Sequence, residues 1–142
     1  MAPLERGRIK ASLMQRASNG ESAEPVVEVI VRAWREIDAA LSPVIGKQGV
    51  AALYRRCLHI VAPTHPWLAT TQPGIADALD LAALRSALSS QSSANAAAGG
   101  AATLEEFHEL LASMVGHSLT GQLLRPVWAN LFSTPPSQGT QQ

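Results

Sequence analysis

Apolar residues recur every three or four positions through most of the chain. After Pro25, one stripe holds Val27, Ile30, Trp34, Ile37, Leu41 and Ile45, while Glu28, Arg32, Arg35 and Glu36 take the opposite face. That spacing predicts an amphipathic helix. Pro25 suits its first turn, where a missing N–H breaks no bond. Pro43 and Gly46 predict its end around Val44. A second helix is predicted over 48–61, with Val50, Leu53, Tyr54, Cys57, Leu58 and Val61 inward and Arg55, Arg56 and His59 outward. Pro63 and Pro66 then force a non-helical connection, from which Trp67 and Leu68 are expected to tuck into the core.

A third helix is predicted from near Ile75 to at least Leu88. The stretch from Ser89 to Gly100 is rich in Ser, Ala and Gly, which predicts a loop. Thr103-Leu104-Glu105-Glu106 has the form of a capping box. A fourth helix is therefore predicted behind it on Leu104, Phe107, Leu110, Leu111, Met114 and Val115, with His108 solvated and Gly116 as the break. Ser118 is the expected N-cap of a fifth segment holding Leu119, Leu123, Val127, Trp128 and Leu131, kinked or cut short by Pro126.

The expected fold is all-α: a compact bundle of four to five helices. Residues 1–24 are expected to be a flexible N-terminal segment, with at most a short helix near Ile9 to Gln15. Residues 25–133 form the bundle domain, and 134–142, polar and Pro-rich, a disordered tail. The two halves also echo each other at an offset of 70 residues. Leu41 matches Leu111, Gly46 matches Gly116, Leu53 matches Leu123 and Arg55 matches Arg125. Each half reads as helix, glycine, helix. Either the bundle is pseudo-symmetric, or any two amphipathic helix pairs would align this well.

Composition supports the helical reading. The chain is 46% hydrophobic, enough for a core without staples, and alanine and leucine dominate over β-branched residues. Eleven basic and 11 acidic side chains give zero formal charge, unlike a strongly basic nucleic-acid binder. The basic excess lies in residues 1–20, where Arg6, Arg8, Lys10 and Arg16 face only Glu5. No apolar run reaches the ~20 residues of a membrane span. Cys57 is the only cysteine, so no internal disulfide can form, and a reducing, cytoplasmic setting is the expectation.

Few residues carry recognisable chemistry. No zinc-protease, phosphate-loop, serine-hydrolase or dinucleotide motif is present. Gly46-Lys47-Gln48-Gly49 opens a helix and could hold an anion there, but it is too short to specify a phosphate loop, and a glycine C-cap accounts for it. His59, His65, His108 and His117 include no i, i+4 pair, so no metal site or cofactor is expected. Arg55-Arg56 are candidate interaction residues. A helix-turn-helix over 41–57 would need more basic charge than is present. Trp34 lies on the main stripe and is expected in the core, while Trp128, near the chain end, is the interface candidate.

His117-Ser118-Leu119-Thr120-Gly121 resembles the His-x-Leu-Lys-Gly signature of histidine phosphotransfer domains, which are helical bundles of similar size. The resemblance implies an exposed histidine that attacks an aspartyl phosphate on a receiver domain. Thr120 stands where that family has a basic residue to balance phosphate charge.

The leading expectation is a non-catalytic intracellular interaction or regulatory domain, with a signalling setting as one option. Its partner would be another protein or a second copy. The alternatives are phosphoryl relay through His117 and an apolar small-ligand sensor with its pocket between helices.

Overall fold

Helix α2 (Glu24–Val61) carries the longest apolar stripe and organises the rest. In the computed structural model, which describes residues 2–19, 23–71 and 81–132, it is joined by α1 (Ala2–Asn19), a 3-10 turn (Pro66–Thr71), α3 (Leu81–Ser89), α4 (Ser93–Val115) and α5 (His117–Phe132). The helices pack together and no strand occurs among the described residues. The protein is an all-α bundle, as its periodicity predicts.

Gly46 bends α2 into two arms, 24–45 and 47–61, through a non-helical backbone with φ 83° and ψ 157°. That corner of the map is essentially reserved for glycine. Pro43 loosens the helix just ahead by removing an N–H. Gly116 repeats the conformation between α4 and α5, with φ 96° and ψ 155°. The echo in the sequence therefore extends to the backbone. It extends to burial as well: Ile30 and Gly100, Trp34 and Leu104, Ile37 and Phe107, Leu41 and Leu111, Tyr54 and Leu124, and Leu58 and Trp128 are all buried at equivalent places.

The first arm of α2 and helix α4 run side by side in the same direction. Gly100 lies so close to Ile30 that an added Cβ would strike that side chain, and Gly99 abuts the Trp67 ring in the same way. Farther along, Trp34 meets both Thr103 and Phe107. The leading helix of each half crosses to the other half. Thus α1 packs mainly on α4 and α5, whereas α3 packs mainly on α2. A Glu28–Arg85 ion pair adds to the α2–α3 contact, although exposed pairs of this kind contribute little.

Trp34 is the centre of the core. It is fully buried, with Tyr54 and Phe107 edge-on at centroid distances of 4.9 and 5.0 Å. Its indole N–H donates to Thr103 Oγ1 at 3.3 Å. The Thr103 hydroxyl donates in turn to Gly100 O at 2.7 Å. Replacing Thr103 by Val keeps the shape but leaves the buried indole N–H without this acceptor. Thr103→Val is expected to cost about 1–3 kcal/mol, read as a lower urea midpoint with unchanged m.

Several expectations need correction. Residues 2–19 are α1 and belong to the bundle: Ile9, Leu13 and Ala17 are buried. Ser12 Oγ and Arg16 Nη2 both donate to Leu131 O, at 3.5 and 3.1 Å. The stripe at 9, 13 and 17 is one residue wide and ends in alanine, so its hydrophobic signal is faint. The expected loop from Ser89 to Gly100 is short, because α4 already starts at Ser93. Its N-cap is Ser92, whose Oγ accepts from the Asn95 N–H at 3.1 Å. Thr103-Leu104-Glu105-Glu106 consequently lies inside α4 and caps nothing. The glycines expected to break the helix serve its close contact with Ile30 and Trp67 instead. Helix α5 starts at His117 rather than after a Ser118 cap, and it continues through Pro126 to Phe132. The predicted start of the third helix near Ile75 and the tail 134–142 lie outside the described residues.

Candidate functional site

The parallel course of the first α2 arm and α4 brings both glycine elbows to one end of the bundle. From Trp34 to Val44, and from the Thr103–Phe107 turn to Met114, each helix rises about 10–17 Å at ~1.5 Å per residue. Apart from Ile45, residues 43–48 and 116–119 all fall on the exposed surface there. Among them and beside them stand three of the large apolar side chains the fold leaves in solvent: Val44 (52% exposed), Met114 (60%) and Leu119 (40%). Val44 and Met114 occupy equivalent places, two residues ahead of the elbow glycine in each half. Ile45 and Val115, next in line, are half-buried against the core.

The polar groups at this end are few. Lys47 Nζ lies 3.7 Å from Asp38 Oδ2, and the Ser42 hydroxyl donates to Asp38 Oδ1 at 3.0 Å. His117, the first residue of α5, is exposed. Thr120, three positions on, is fully buried, so neither its chemistry nor its position supplies a charge beside the imidazole.

The other candidates are dispersed. Arg56 is exposed and Arg55 half-buried on the second arm of α2. Trp128 is not on the surface. It is 2% exposed within the core cluster, its ring 6.0 Å from that of His108, because α5 folds its apolar face back onto α4. This withdraws it as an accessible interface residue. His108, expected to be solvated, is likewise only 2% exposed. His59 is exposed, as its polar face predicts. His65 is half-buried near Trp67, and burial, then the charge of Lys10, hold its pKa below the usual imidazole value.

Cys57 is buried, and its thiol donates to Thr103 O at 2.8 Å. Burial, with Glu106 adding to it, pushes the thiol well above its ordinary pKa. The thiolate is the reactive form, so Cys57 is expected to resist a maleimide in the native protein and to react once the chain is unfolded in urea. Labelling at the rate of a free thiol under native conditions would contradict this placement.

Among the described residues, no three His, Cys, Asp or Glu side chains gather where they could hold a metal ion. None of the described helices is long and apolar enough to cross a membrane. Comparison with known proteins gives no matching family model, no matching curated protein and no matching solved structure.

The residues at the elbow end were only partly visible in the sequence. Met114 and Leu119 sit on apolar stripes and read as core. The usable signal was the pairing of Val44 with Met114 just before two glycines. Once each helix ends, the residue near its last turn has no neighbour to bury it.

Proposed function

We propose that this chain is a helical interaction domain that binds another protein through its elbow end, without catalysis of its own. The observation that carries the reading is the exposure of Val44, Met114 and Leu119 at one end of a bundle whose other large side chains are mostly packed. Scattered exposed apolar residues are ordinary, but their concentration at one end marks interaction surfaces. Arg55 and Arg56 are less favoured, since Arg55 is half-buried and Lys47, the other lysine or arginine of that arm, lies at its far end beside Asp38.

A photo-crosslinking residue at 44 or 114 tests this, with control positions at the exposed Glu24 and Arg56. The expected result is one partner captured from 44 and 114 and not from the controls. That partner, purified, should then bind Met114→Glu at least tenfold more weakly, with the melting temperature of the variant unchanged. Capture from the controls alone, or unchanged affinity in Met114→Glu, would overturn the proposal.

A second reading is phosphoryl relay through His117, favoured by the exposed position of this residue. In that step an imidazole nitrogen would attack the phosphorus of a receiver's aspartyl phosphate. The N–P bond forms, the acyl-phosphate P–O bond breaks, and the receiver's carboxylate leaves. Acid-labile label on the wild type that vanishes in His117→Gln would support it. No label with any receiver tested would remove it.

A further inference from the structure

We draw no further inference here: the strongest candidate, the exposed apolar end of the bundle around Gly46 and Gly116 with Val44, Met114 and Leu119, belongs to the site already described, and nothing in the structure shows what covers it.

Discussion

Trp34→Ala is expected to cost about 3–5 kcal/mol of folding stability, the range for truncating a buried aromatic residue. Three effects combine at this position. The cavity would open in the middle of the core, where Trp34 has no solvent exposure and both Tyr54 and Phe107 lean on its ring. Those edge-on contacts contribute ~0.5–1.5 kcal/mol each beyond their buried area. The loss of the indole also removes the donor to Thr103. Because Tyr54 lies on the second arm of α2 and Phe107 on α4, the ring bridges both halves, and neighbours on both sides cannot collapse together into the void. With ~5–15 kcal/mol of total stability in a typical domain, the variant should be largely destabilised or unfolded at room temperature. Far-UV circular dichroism against urea is the suitable readout, since fluorescence would lose one of its own probes. Trp34→Phe keeps most of the ring contact and loses the hydrogen bond, so it should fall between wild type and Trp34→Ala. A loss below about 1 kcal/mol for the alanine variant would mean that the core can close without this ring, against the partial relaxation seen for such cavities.

The helical class and much of this core were legible in the sequence because a stripe of large apolar residues at helical spacing has few other uses. Val27, Ile30, Trp34, Ile37 and Leu41 are all buried on the first arm of α2. The legible glycines were those that end a helix: Gly46 and Gly116 both adopt positive φ. What escaped were cases where small residues replace large ones. Ala96, Ala97 and Ala101 are buried on α4, yet alanine weighs little in a periodic pattern, and Gly99-Gly100 reads as a breaker. The smallness of Gly99 and Gly100 is what admits Trp67 and Ile30, a tertiary demand that no local rule contains. His108 and Trp128 escaped for a related reason. Both sit where their own helices look polar or terminal, and the packing of α5 onto α2, α4 and α1 brings them into the core. The elbow end depends on which helices run parallel, and periodicity does not report direction.

Replacing both elbow glycines by alanine is the second large effect, expected at about 1–3 kcal/mol for each and ~2–6 together, since positions in the Gly-only corner of the map carry that penalty for other residues. The cost comes from the backbone and not from crowding: a Cβ at Gly46 or Gly116 would meet nothing within 4 Å. Straightening the helix would relieve the strain, because alanine is the best helix former. However, the second arm would then carry Tyr54, Cys57 and Leu58 away from the core they fill. The chain can avoid that loss only by lending the arm to a second copy, the domain-swapped outcome that hinge substitutions invite. Gly121→Ala is the internal control. Gly121 lies within α5, without a positive φ and with open space around it, so the same substitution there should stabilise by about 0.4–1 kcal/mol. Urea midpoints of Gly46→Ala, Gly116→Ala, the double variant and Gly121→Ala, taken with light-scattering mass at two concentrations, separate these cases. Opposite signs at the elbows and at 121 are the expected pattern. Equal, small effects at all three sites would mean that the elbows are not held in the conformation that turns each helix back on itself.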